Sequence, residues 1–327
     1  MEQIDYDVDD FICYCEAKNL SKKTYGSYEQ TLRLLVQYLK NTYSITETKQ
    51  IRERHIREYV AYLQERGKYS VVADERTKIT NFPENRQDYG KRVEITTINN
   101  YIRNIKVFFN YMYESRYITE NPIRRIKEIK NQRKVVGYLN DNDMNKLFKT
   151  FDLSKFHEYR DYIVSKLIFD TGMRITETLL IKENDVDFTK RSILLIAENT
   201  KGKKDRYVFF SAEMAKELKK WLQYKDRYRQ SDYVFCTHKG KLLNANNFEK
   251  NFRKYGERLG LKDIHPHMLR NNFAKRFLMS GGDIYTLSRI LGHSSVKVTE
   301  EAYLDLDIDD LRINYQRYSP LANLNRA

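Results

Sequence analysis

Between Ile98 and Tyr113 the residues Ile98, Tyr101, Ile102, Ile105, Phe109, Met112 and Tyr113 recur three or four apart, which is the spacing of one face of an α-helix. A stripe of that length has to be buried against other helices, so this part of the chain belongs to a helical core and not to a sheet sandwich. Thr96 or Thr97 is placed to cap it. The same period appears at Tyr28, Leu32, Leu35 and Leu39, with Ser21 as N-cap, and at Ile56, Tyr59, Val60 and Leu63 in a helix running from about Glu53 to Gln64. Only 12 Gly and 4 Pro in 327 residues also favour helix over a turn-rich β fold.

The period changes once. "RSILLIAEN" (191–199) and "RYVFF" (206–210) are apolar and rich in β-branched or aromatic residues, and the turn-forming "TKGKKD" separates them. That is the signal of a β-hairpin, and "DYVF" (232–235) is a candidate third strand. Helical patterns flank this region: "NDNDMNKLFKTF", "YRDYIVSKLIFDTG" ending at Gly172, and a helix carrying Ile284, Leu287, Ile290 and Leu291 that stops at Gly292. The expected fold is therefore mainly α with a small antiparallel sheet (α+β), in two domains. Residues 1–122 form a helical domain with a polar insertion at about 66–95, residues 123–137 a linker, and residues 138–327 a second domain whose tail begins near 305. Cys13, Cys15 and Cys236 are too few, and wrongly spaced, for a disulfide framework or a zinc site; the first two read as core residues.

Lys and Arg number 59 against 45 Asp and Glu, a net charge of +14 that favours a polyanionic partner. Arg124, Arg125, Lys127, Lys130, Arg133 and Lys134 concentrate in the linker against the single Glu128. They could contact a DNA backbone or merely solvate a flexible strap; spacing alone leaves both open. No apolar run is long enough to span a bilayer, and the acidic start lacks the features of a signal peptide, so a cytoplasmic location away from membranes is expected.

"IHPHMLRNNF" (264–273) concentrates chemistry. Pro266 suits the start of a helix, which puts His267 in the first turn and Arg270 on the same face. Amides at a helix start and an adjacent guanidinium suit a phosphate, and the helix dipole favours a neutral imidazole. A metal at His265 and His267 lacks further ligands nearby, and a capping histidine beside a surface arginine is the plain alternative. Arg174 in "TGMRITE" has Glu177 three residues on to orient it, or to form an ordinary surface pair. Lys201 lies at the hairpin tip, His293 follows Gly292, and Tyr303 is one of 26 tyrosines.

Arg174, Lys201, His267 and Arg270 in "HMLR", His293 in "LGHSS" and Tyr303 in "EEAYLDL" stand in the order seen in tyrosine recombinases of the phage-integrase and Xer type. The resemblance covers about residues 138–305, and "NYIRNIKVFFNYMYESRYITENPI" is similar to the end of that family's core-binding domain. The resemblance implies a two-domain DNA clamp: a helical core-binding domain plus a catalytic domain. It implies DNA cleavage without metal, ATP or other cofactor, with Tyr303 as nucleophile and a 3′-phosphotyrosyl intermediate; Tyr315 and Tyr318 are alternative nucleophiles. It further implies a homo-oligomer, a tetramer, on double-stranded DNA with paired recognition sites, an exchange tail that docks on its own or a neighbouring subunit, and a mobile-element setting. A type IB topoisomerase and a catalytically silent DNA-binding regulator are the rival readings.

Overall fold

The computed structural model describes residues 2–73, 78–79, 82–131, 137–199, 204–303, 312 and 315, and for residues 199, 302 and 303 the backbone only. The chain divides into two compact units, Met1–Arg133 and Lys134–Ala327.

The first unit is built from α1 (Gln3–Ala17), α2 (Lys22–Tyr43), α3 (Glu53–Glu65) and α4 (Ile95–Glu114). Its core is made by the helical stripes: Val8 and Phe11 of α1, Leu32 and Leu39 of α2, Ile56 and Leu63 of α3, and Ile102, Ile105 and Phe109 of α4 are all fully buried. Each such side chain contributes roughly 1.5–3 kcal/mol, so these stripes outweigh the modest propensities of the β-branched residues within them. Ser21 caps α2 as expected, accepting from the Thr24 amide at 3.2 Å. One polar tie crosses the core: the buried Asn104 amide of α4 donates to Thr31 Oγ1 at 2.9 Å and to the Ser27 carbonyl of α2 at 3.2 Å.

Three local expectations change. The helix start at Thr96 or Thr97 moves to Ile95, with Glu94 as N-cap. Tyr113 is 49% exposed, because the stripe has rotated off the core by the last turn. Of the paired cysteines, only Cys15 is buried; Cys13 points out, as adjacent odd positions on a helix must diverge.

The polar insertion is pinched shut at its base. Gly67 and Arg92 form an antiparallel bridge, Lys68 N donates to Lys91 O at 2.7 Å, and Gly90 N donates to Lys68 O at 2.9 Å. Among its described residues, Arg86 lies over the Tyr69 ring at 4.3 Å and a short 3-10 turn covers Pro83–Asn85. Further along, residues 123–130 pack on the first unit: Ile123 is buried and Ile126 and Ile129 are partly buried against its core. Asn99 on α4 holds Ile129 at both backbone groups, donating to its carbonyl at 2.9 Å and accepting from its amide at 2.8 Å. The first unit thus continues beyond Pro122, and Arg124, Arg125, Lys127 and Lys130 sit exposed along its edge.

The second unit contains α5 (Asp141–Lys149), α6 (Phe156–Thr171), α7 (Ile175–Leu179), α8 (Ala212–Tyr228), α9 (Ala245–Glu257), α10 (His267–Met279), α11 (Ile284–Leu291) and α12 (Val296–Tyr303). A three-stranded antiparallel sheet, in the order β1 (Val186–Asp187), β2 (Ser192–Leu195), β3 (Arg206–Phe209), lies among them. Ile193 pairs with Val208 and Leu195 with Arg206. The third strand is therefore β1, not 232–235: Tyr233 makes only an isolated bridge to Lys182, and Val234 N donates to the Ile181 carbonyl. That segment's apolar side chains instead enter the main core beside Trp221, whose indole N–H donates to the Val234 carbonyl at 2.8 Å. A satellite cluster of Ala274, Leu287 and Leu291, flanked by Phe273 and Phe277, fastens α11 to α10. Among the described residues no helix is long and apolar enough to cross a membrane.

Candidate active site

The site begins at the end of α6. Gly172 takes a left-handed conformation with φ +69°, and a Cβ there would stand 2.4 Å from the Phe273 ring and 2.8 Å from Leu291. Only glycine allows the turn out of α6 to press this closely on α10 and α11. Two residues on, Arg174 begins α7 in a capping box with Glu177. The Glu177 carboxylate accepts from the Arg174 amide at 3.0 Å and from its Nη1 at 2.9 Å. Glu177 is buried, whereas the Arg174 side chain keeps 25% of its surface exposed.

Arg270 is no surface arginine. It is 2% exposed, and its fork stitches the site together: Nη1 donates to the Gly172 carbonyl at 2.6 Å, and Nη2 to the Leu291 carbonyl at 2.9 Å. Nη2 also lies 3.0 Å from His293 Nε2. An arginine nitrogen can only donate, so His293 Nε2 accepts, and the ring proton is on Nδ1, 2.8 Å from Thr299 Oγ1 of α12. Burial, then the cations Arg270, Arg174 and Arg206 together with His267, hold the His293 pKa down to about 4. His293 is therefore neutral at neutral pH.

His267 Nδ1 lies 3.0 Å from Asn271 Oδ1, an atom that only accepts. The proton is then on Nδ1, and Nε2 presents a lone pair. Burial lowers its pKa first, and Arg270 and Arg174 lower it further. Arg174, His267, Arg270 and His293 thus share one electrostatic neighbourhood, and the ordinary surface placement of the His267–Arg270 pair does not hold for Arg270.

Lys201, Arg133, Lys134, Tyr318 and nearly all of the 305–327 tail lie outside the described residues. Tyr303 is the last residue of α12, four positions after the buried Thr299. Tyr315 is 69% exposed. His265, beside the site, has its pKa lowered by burial and then by His267.

Three participants escaped the sequence reading: Asn271, Thr299 and Arg206. Arg206 donates to both oxygens of Glu177, and it had a signal, since it alternates with the buried Val208 of β3 and Phe210 just after it and so had to face inward. Thr299 had one too, one helical turn before Tyr303. Asn271 had none, because its role depends on the ring beside it.

Residues 137–309 match the phage integrase family, and residues 8–77 match the phage integrase N-terminal SAM-like domain. The chain belongs to the phage integrase family of tyrosine recombinases. It is 24% identical to the tyrosine recombinase XerC of Oceanobacillus iheyensis over 335 aligned residues, spanning 100% of both chains. It is 29% identical to XerC of Bacillus subtilis over 244 residues, covering 72% of this chain and 78% of that one. Among solved structures, the Tn1549 transposon integrase in complex with a circular intermediate DNA shares the fold at a TM-score of 0.71 and 16% identity, over 97% of this chain and 100% of that chain. XerH bound to palindromic difH substrate shares it at 0.67 and 21% identity, over 92% and 81%. In this tyrosine recombinase Arg270 thus brings guanidinium donors and two imidazoles of lowered pKa into one neighbourhood.

Proposed function

We propose that this protein is a site-specific DNA recombinase, working in the cytoplasm as an oligomer on paired sites, that cuts and reseals DNA through Tyr303. The observation that carries this reading is the buried Arg270, which bonds to the Gly172 and Leu291 carbonyls and to His293, with Arg174 and His267 in the same electrostatic neighbourhood. DNA is the partner, and the exposed Arg124, Arg125, Lys127 and Lys130 of the first unit supply phosphate contacts that secure position without reading sequence.

The scissile phosphate approaches the exposed side of Arg174. One of its nonbridging oxygens takes the Arg270 Nη2 hydrogen now directed at His293 Nε2. With that contact gone and a negative charge nearby, His293 gains a proton on Nε2 and donates to the phosphate. The Tyr303 phenol loses its proton to His267 Nε2 as its oxygen bonds to phosphorus, and the bond to the 5′-oxygen breaks as Lys201 protonates the leaving group. The ester is conserved as a 3′-phosphotyrosyl link, so a second 5′-hydroxyl can attack it and reseal a new pair of strands without an external energy source.

A nicked duplex that loses its 5′-hydroxyl fragment on cleavage tests the reading. The wild-type protein should form a DNA adduct that survives denaturing electrophoresis, in EDTA as well as in magnesium. Tyr303→Phe should form none while retarding the same DNA. An adduct persisting in Tyr303→Phe transfers the nucleophile to another residue; no wild-type adduct on a site the protein protects makes it a silent binder. Relaxation of supercoils with no recombinant product would mark a topoisomerase.

A further inference from the structure

Arg206 lies on the inward face of β3 with its side chain only 11% exposed, and it joins three segments of the second unit. Its Nη1 and Nη2 donate to the two Glu177 oxygens at 3.2 and 2.6 Å, and its Nε donates to the Ile290 carbonyl in the last turn of α11 at 3.1 Å. The fit is tight at the far end as well, since a Cβ on Gly292 would stand 2.9 Å from the Arg206 guanidinium carbon. Gly292 precedes His293, and Glu177 orients Arg174. Arg206 therefore spans the two halves of the phosphate site while touching neither reacting group.

The sharing at Glu177 matters. With Arg206 present, the carboxylate receives four donors: two nitrogens of Arg206, Arg174 Nη1 and the Arg174 amide. Arg174 commits one side-chain nitrogen and keeps the rest for substrate. Without Arg206, a buried carboxylate would be left short of partners, and the nearest remaining guanidinium would close on it with its whole fork. We propose that Arg206 is a positioning residue for strand cleavage: by saturating Glu177 and holding the Ile290 carbonyl, it keeps Arg174 turned toward the phosphate and sets its distance from His293. This rests on the proposed role of Arg174 in stabilising nonbridging charge.

The test is single-turnover cleavage of the nicked duplex at saturating DNA. Arg206→Ala should slow cleavage on the order of 100-fold, the cost of a misplaced catalytic group, with DNA affinity within about threefold of wild type. Arg206→Lys, which keeps the charge and some donors, should recover about tenfold of that loss. Glu177→Ala combined with Arg206→Ala should cleave no more slowly than the slower single variant, because both changes disable one network. On a duplex whose scissile phosphate is a neutral methylphosphonate, the defects of Arg174→Ala and Arg206→Ala should both shrink, since the charge they serve is gone.

A folded Arg206→Ala protein cleaving within about threefold of wild type overturns the proposal, as does a double variant whose loss is the product of the two single losses. So does an Arg206→Ala defect unchanged on methylphosphonate while that of Arg174→Ala shrinks. If neither shrinks, the charge-stabilising role of Arg174 fails instead, and the double-variant comparison decides the fate of Arg206. Should Arg206→Ala not fold, judged by its melting transition, Arg206→Gln takes its place in every comparison.

Discussion

Arginines and lysines stand in opposite surroundings in the two units. Along residues 124–130 they stand exposed on the edge of the first unit, on a backbone that Asn99 and the isoleucines fix. In the second unit Arg270 is buried and Arg206 nearly so, and they are committed to carbonyls and to Glu177. Exposed cations in water gain little from any single partner and lose it to salt; buried ones are already desolvated, so a phosphate meets oriented donors with no further reorganisation. The first arrangement suits holding a duplex in place, the second stabilising charge that appears during a reaction. The residue types are shared, and the surroundings separate the roles.

Arg270→Ala puts that separation to its hardest trial. Cleavage should fall by about 1000-fold or more. The Gly172 and Leu291 carbonyls would each lose a partner at about 1–3 kcal/mol, so the melting temperature should fall as well. Calorimetry beside single-turnover cleavage measures both, and a variant of native stability with near-native rate would place Arg270 outside the reaction. Arg174→Lys comes next, with a loss of about 100-fold in cleavage and duplex retardation unchanged, because an ammonium cannot serve Glu177 and a phosphate with one fork. Weakened retardation in proportion to the lost rate would make Arg174 a binding residue like those on the first unit.

The exposed edge should respond mildly and with a different signature. Lys127→Ala should weaken binding to all sequences alike and lower the salt slope of log affinity by about 1. Asn99→Leu, which releases Ile129, should have a similar effect without removing any charge, while cleavage at saturating DNA stays the same. An unchanged salt slope in both variants would mean that this edge does not meet phosphate.

A different kind of effect comes with pH. His293 is held to about 4, below its usual value near 6.5, so in the free protein the unfolded chain takes up a proton in this window that the folded chain refuses. Stability should therefore be fully present above about pH 6.5 and decline as pH falls toward 4, and less steeply in His293→Asn. Denaturant melts between pH 7 and 4.5 measure the slope; identical slopes would mean that His293 is not the refused proton. Binding of a phosphate should raise the same pKa, visible as proton uptake on adding DNA near pH 5.5.

Much of the second unit could be read from residue order. Gly172 and Gly292 end helices where the apolar stripes run out, and the motif around His267 and Arg270 falls at a helix start. Strand β1 could not be read, since two residues without an apolar run carry no period. The segment at 232–235 had a strand's composition, yet its side chains were needed in the core around Trp221 and its backbone found only isolated partners. The basic stretch after Pro122 read as an interdomain linker because its isoleucines come every third residue, matching neither the helix nor the strand period; the Asn99 side chain that pins it lies 30 positions upstream.

The chain by itself determined the helical stripes, the hairpin, the family's motif residues in their order and the positive charge, because each of these is a local pattern or a sum. Only the tertiary structure decided which cations would be buried, which tautomers His267 and His293 would hold, and that Arg206 would brace Glu177. Those outcomes depend on distances between residues far apart in sequence. An arginine carries the same charge anywhere, and its chemistry follows from which carbonyls, carboxylates and rings surround it once water has been removed.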